Sequence, residues 1–215
     1  KMNKQLNPRQ IKTIQNFWNW FQDNEQAIYH AFKLDINKPE ILFHFERNLS
    51  YVSKRIEFIA YEVTNQENKL HITFSALGYK KLFPKVIALG ENAPKLQYFE
   101  IQTFIKPYTA ESQHLLPIFI TNLEKEALIK LEDYNLVTKK VIITLYIPEG
   151  YEKSDLDFLV YFILGEVNYK KHIKKIIYKP MPQKNSGLLA LAELPEFIEY
   201  LVKINYNRKL KILFE

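Results

Sequence analysis

The order of apolar and polar positions divides the chain into a helical start and two stretches of alternating, strand-like pattern. Asn7, Pro8 and Gln10 supply an N-cap, a first-turn proline and a capping-box partner for an opening helix. Ile11, Ile14, Trp18, Phe21, Ile28 and Phe32 then recur every three to four residues and form one continuous core-facing stripe. Phe17 and Trp20 fall off that stripe, one turn apart. The helix is therefore either sandwiched between two layers or presents an aromatic patch to a partner. A second helix is expected after Pro39, with Leu42, Phe45, Leu49 and Val52 on one side and His44, Glu46 and Arg47 on the other, completing a helical hairpin.

The period then falls to two. Ile56, Phe58 and Ala60 alternate with Glu57, Ile59 and Tyr61, and Leu70, Ile72 and Phe74 alternate with His71, Thr73 and Ser75, the polar run 65–68 making the turn of a strand hairpin. A helix over 81–91 tolerates Pro84 in its first turn and is expected to end at Gly90, and a strand over 98–105 stops at Lys106-Pro107. The pattern weakens over 108–126, the expected connection. The same order then returns: strands to either side of a Thr138-Lys139 turn, a helix capped by Ser154 with Asp157 three residues on and ended by Gly165, and a strand over 172–178 running into Lys179-Pro180. Leu191, Leu194, Ile198 and Leu201 mark a last helix, and 208–215 reads as an added edge strand.

The fold class so predicted is α+β: an N-terminal helical hairpin, two ββαβ units with mixed sheets, and a C-terminal helix. Each third strand should run parallel to its neighbour, because a helical crossover connects them. The divisions are 1–107 and 108–215, which a single compact domain could also hold. Leu89-Gly90-Glu91 ahead of Phe104-Ile105-Lys106-Pro107 echoes Leu164-Gly165-Glu166 ahead of Ile177-Tyr178-Lys179-Pro180. Internal duplication explains this echo, and chance convergence of two α+β halves is the alternative.

Three segments carry a resemblance: Phe17-Trp18-Asn19-Trp20-Phe21, the helix from Lys81-Leu82-Phe83-Pro84 to Ala93-Pro94, and the Leu164-Gly165-Glu166 step. As a set they resemble a family of uncharacterised bacterial α+β proteins over most of 10–180. The resemblance implies a bacterial protein with no assigned activity and carries over no catalytic or binding residue. Phe99 and Thr103-Phe104-Ile105-Lys106 depart from it, standing where relatives tend to carry Trp and an Arg-rich strand end.

Composition narrows the chemistry. The chain has no Cys, which excludes thiol catalysis, iron–sulfur ligation and cysteine zinc sites. No apolar run approaches the roughly 20 residues of a membrane helix, and no apolar stretch follows the polar residues 1–7, so a cytoplasmic protein without a signal peptide or membrane partner is expected. The net charge of +6 comes mostly from Lys and admits an anionic partner, although lysine scattered over a surface is the commoner reading. His30, His44, His71, His114 and His172 show no metal-ligand spacing, and the five glycines build no phosphate-cradling motif. Neither a cofactor nor a metal is expected.

Two constellations remain. Glu91 and Glu166 hold corresponding places in the two halves and could act as an acidic pair, against the plainer reading that each caps a loop. Lys170, Lys171, Lys174 and Lys175 lie in the basic, tyrosine-flanked segment 169–179 and form a candidate anion-binding set. Lysines that guard an edge strand are the favoured alternative there. The leading function is a non-enzymatic protein–protein interaction of inhibitor or immunity type, docking an unknown protein partner, or a second copy in a homodimer, through Phe17 and Trp20 and the cleft between halves. A metal-assisted hydrolase using Glu91 and Glu166 and a nucleic-acid-binding protein using 170–179 are the alternatives.

Overall fold

A computed structural model describes residues 6–62, 69–107, 123–184 and 187–214, with side chains through Ile204. The chain forms two compact units, Lys1–Ile105 and Lys106–Glu215.

In the first unit, α1 (Pro8–Asp23) starts on the expected capping box: Gln10 N–H donates to Asn7 Oδ1 at 2.9 Å and Asn7 N–H to Gln10 Oε1 at 3.0 Å. The apolar stripe does not continue as one helix. Asn24 leaves helical geometry and its side-chain amide donates to Trp20 O at 2.8 Å, so that a separate α2 (Glu25–Leu34) follows. Asn competes for backbone partners in this way, which makes it a poor residue inside a helix. Asp35 and Asn37 turn the chain with positive φ into α3 (Lys38–Val52), and the predicted hairpin is thus three helices.

The sheet of this unit contains β1 (Glu57–Glu62), β2 (Leu70–Ser75) and β3 (Phe99–Thr103) in the order β1-β2-β3. β1 and β2 are antiparallel; β2 and β3 are parallel across the crossover helix α4 (Phe83–Glu91). The turn expected at 65–68 lies outside the described residues. Phe17, Trp18 and Phe21 of α1 pack with Phe45 of α3, Phe74 of β2 and Phe99 of β3, and the Trp18 indole N–H donates to Leu89 O at 3.0 Å. Phe17 meets Phe45 at 5.7 Å on one side and Phe74 at 5.9 Å on the other. It is 1% exposed, so of the two alternatives for this residue the sandwich describes the geometry.

α4 ends at Glu91 as expected, but Gly90 lies inside its last turn without the positive φ of a capping glycine. It stays within α4, where a Cβ would come 2.5 Å from Thr103 Cγ2, so its role is close approach of helix to strand.

In the second unit, a short α5 (Leu123–Glu126) precedes β4 (Leu128–Asn135) and β5 (Lys140–Ile147). Asn135 Oδ1 accepts from Val137 N–H and Thr138 N–H at 3.1 and 2.7 Å, and Lys139 takes φ 59° to close the turn. α6 (Lys153–His172) crosses over to β6 (Ile173–Pro180), which runs parallel to β5. β7 (Leu189–Ala190) joins β4, giving the order β6-β5-β4-β7. Ile129, Val141, Ile143 and Leu145 form the buried face of these strands, and Leu156, Leu159, Val160 and Ile163 of α6 are buried in the same unit.

Both units therefore show hairpin, crossover helix and parallel third strand. The tail differs from expectation: 208–214 continues α7 (Leu194–Phe214) instead of adding a strand. Pro195 sits in the first turn and neither Gly nor Pro follows it before Phe214, so the two strongest helix breakers are absent from the segment. Among the described residues no helix is long and apolar enough to cross a membrane.

Candidate anion-binding pocket

The second unit carries a pocket of about 320 Å³ between α6 and β6. Its position depends on an interruption in α6. The cap is Glu152 and not Ser154: Glu152 N–H donates to Asp155 at 2.9 Å in a capping box. From there the helix runs regularly to Gly165, whose φ of 69° and ψ of 158° are available only to glycine at low cost, and a second helical segment begins beyond it. In a straight helix Asp157 and Tyr169, twelve positions apart (169 − 157 = 12), would be separated by about 18 Å. Bent at Gly165, the two segments place Asp157 and Tyr169 on one pocket.

The floor belongs to β6. Its register with β5 shifts so that Ile173 opposes Val141 while Lys175 opposes Ile142, leaving Lys174 as an extra, bulged residue. Beyond the bulge Tyr178 opposes buried Leu145, which puts it on the sheet face that α6 covers. There its hydroxyl donates to Asp157 Oδ1. Burial pushes the Tyr178 phenol far above its ordinary range, and the carboxylate of Asp157 adds to the shift. Tyr169 is raised for the same two reasons in the same order. Both phenols therefore remain protonated donors at neutral pH. Lys153 lies over the Tyr178 ring, 4.8 Å from its centroid.

The cations divide into two kinds. Lys140 Nζ donates to Lys170 O at 3.0 Å and Ile173 O at 3.3 Å, tying β5 to the end of α6, where a positive charge also suits the helix dipole. Lys170, Lys174 and Lys175 line the pocket with no ion pair or side-chain hydrogen bond among the described residues. Lys171, expected to belong with them, is exposed and lies outside the lining. Beside the pocket, His172 Nδ1–H donates to Lys139 O at 3.0 Å. Burial holds its pKa below the ordinary value, opposed by that bond and assisted by Lys171 and Lys140.

The other predicted residues lie elsewhere. Phe17 is in the first unit's core, and Trp20 is half-buried against Phe45 at 6.2 Å. Glu91 is the exposed last residue of α4, whereas Glu166 is fully buried just after the kink in the other unit. The matching Leu-Gly-Glu steps thus sit in unlike surroundings. His71, on the polar side of β2, is nevertheless 6% exposed, and Gln102 Nε2 donates to its Nδ1 at 3.1 Å. His114 lies outside the described residues. Among the described residues no group of three or more His, Asp or Glu side chains is placed to hold a metal ion.

Sequence reasoning missed Lys140, gave Asp157 a capping role that Asp155 fills instead, and left Tyr169 and Tyr178 as mere flanks of the basic run. The available signal was Gly165, an isolated glycine inside a long helical pattern. No protein-family model matches the chain, and no curated protein or solved structure does either.

Proposed function

We propose that this is a non-enzymatic binding protein that holds a single-stranded nucleic acid at the α6–β6 pocket. The observation that carries the reading is the set of three uncommitted ammonium groups, Lys170, Lys174 and Lys175, around two protonated tyrosines. Lysines track a phosphate backbone, and tyrosine rings stack on bases whatever their sequence. Lys174, Lys175 and Lys179 also guard the edge strand β6, but this does not account for Lys170, which lies on α6.

The test is binding of a fluorescent single-stranded oligonucleotide over a salt series. Three phosphate contacts give a slope of log K against log salt near −2, from about −0.7 per contact. Replacing Lys170, Lys174 and Lys175 together by Gln should flatten that slope, and Lys171→Gln should not. Absence of binding at low salt, or an unchanged slope in the triple variant, overturns the reading.

A protein partner of inhibitor or immunity type is the second reading, and burial of Phe17 moves its support to α3. Phe43 and Tyr51 are each 61% exposed on that helix, and between them Arg47 Nε donates to Tyr51 Oη at 3.2 Å. Aromatics with Arg are the residue types that anchor protein interfaces. Phe43→Ser with Tyr51→Ser should release a partner enriched from the native host without lowering the melting temperature. Retention of that partner counts against this reading.

A further inference from the structure

Asp157 is the one acidic side chain lining a pocket otherwise lined by Lys, Tyr and Ile. A site built only for phosphate would exclude it, since a carboxylate repels the ligand. Nor does it serve to neutralise the lysines, because it forms no ion pair with any of them within 4.0 Å. Oδ1 instead accepts the Tyr178 hydroxyl. Oδ2 has no hydrogen-bond partner among the described residues.

An ionised carboxylate can only accept, so the ligand atom that suits Oδ2 must be a hydrogen-bond donor. That donor must lie close to phosphates, within a pocket of about 320 Å³ whose lysines hold them. The sugar hydroxyl of a ribonucleotide meets both conditions: it donates, and it is fixed by covalent geometry next to the phosphodiester. Deoxyribose offers no donor at that place.

We infer that the pocket takes RNA in preference to DNA, with Asp157 Oδ2 accepting the 2′-hydroxyl of the bound nucleotide. The Tyr178 bond holds the carboxylate in place, and the bend at Gly165 brings Asp157 and Tyr169 to the same pocket. This inference rests on the nucleic-acid reading above and specifies its ligand.

The experiment compares short oligouridine, oligodeoxyuridine and 2′-O-methyl oligouridine, which share the same bases and phosphates. A hydrogen bond to a charged group favours the ribose form by about ten- to a hundredfold. The 2′-O-methyl chain, its donor removed, should bind like the deoxy chain. In Asp157→Ala the preference, read as the ratio of ribo to deoxy affinity, should collapse to near parity. Circular dichroism and the melting curve establish that the variant is folded. Equal binding of the ribo and deoxy chains by the unaltered protein overturns the inference and leaves the nucleic-acid reading standing, as does 2′-O-methyl binding equal to that of the ribo chain. Failure of all three to bind at low salt overturns both.

Discussion

The hydroxyl of Tyr178 on β6 is hydrogen-bonded to the carboxylate of Asp157 on α6, joining strand and helix across the pocket. Removing it by Tyr178→Phe leaves Asp157 half-buried, so water replaces only part of what is lost. We expect destabilisation of about 1 to 3 kcal/mol, the usual value for a hydrogen bond to a charged group. Thermal unfolding checks this, and alkaline titration of tyrosine absorbance should show one fewer late-titrating phenol in the variant.

Gly165→Ala puts a Cβ on a backbone at φ 69° and ψ 158°. The strain is of order 1 to 3 kcal/mol. The segments either side should relax toward a straighter helix, parting Tyr169 from Asp157. A lower melting temperature together with loss of oligonucleotide binding is the expected pair of results, and a variant as stable as the parent would contradict it.

Gly90 offers a reciprocal test. Alanine is normally about 1 kcal/mol better than glycine inside a helix, but here its Cβ would meet Thr103 Cγ2 at 2.5 Å. Gly90→Ala alone should destabilise. Combined with Thr103→Ser, which removes that methyl, most of the loss should be recovered, and denaturant unfolding of the double-mutant cycle reads the coupling.

Acid sensitivity follows from two histidines. Burial depresses His71, against a partial pull upward from Glu100, and burial likewise depresses His172. The unfolded chain therefore binds protons that the folded chain refuses. The stability contributed by these neutral rings is fully present above about pH 6.5, the unfolded value. It falls as pH drops below that value and levels off once the lower folded values are passed. Urea midpoints measured between about pH 8 and pH 5 should show this decline, and His172→Gln should lessen it.

Phe17→Ser tests the aromatic core. Truncating a buried Phe typically costs about 3 to 5 kcal/mol, and Phe17 touches rings from α1, α3 and β2. A large fall in melting temperature is expected, whereas a docking residue would leave it nearly unchanged.

These residues also show what could be read in advance. Strand alternation across Phe58, Ile72 and Val141 and the Asn7 capping box are local patterns, and the parallel third strand of each unit followed from the crossover helix before it. Phe17 was ambiguous because helical period gives a residue's face but not the number of layers packed on it. Gly90 and Gly165 look alike in sequence; only the neighbour Thr103 of the one and the backbone angles of the other reveal that one admits a strand while the other bends a helix. The pairing of Asp157 was invisible because its partner is 21 residues away, and that meeting depends on both the bend and the bulge at Lys174.

The bend at Gly165 also sets the kind of sequence drift the pocket can survive. Between Asp157 and Gly165, Phe158 is exposed and open to exchange, whereas Leu159, Val160 and Ile163 are buried and must stay apolar. One residue gained or lost there turns the carboxylate about 100° around the helix axis and away from Tyr178. Among natural variants, this stretch should therefore keep a constant length even where its exposed position drifts.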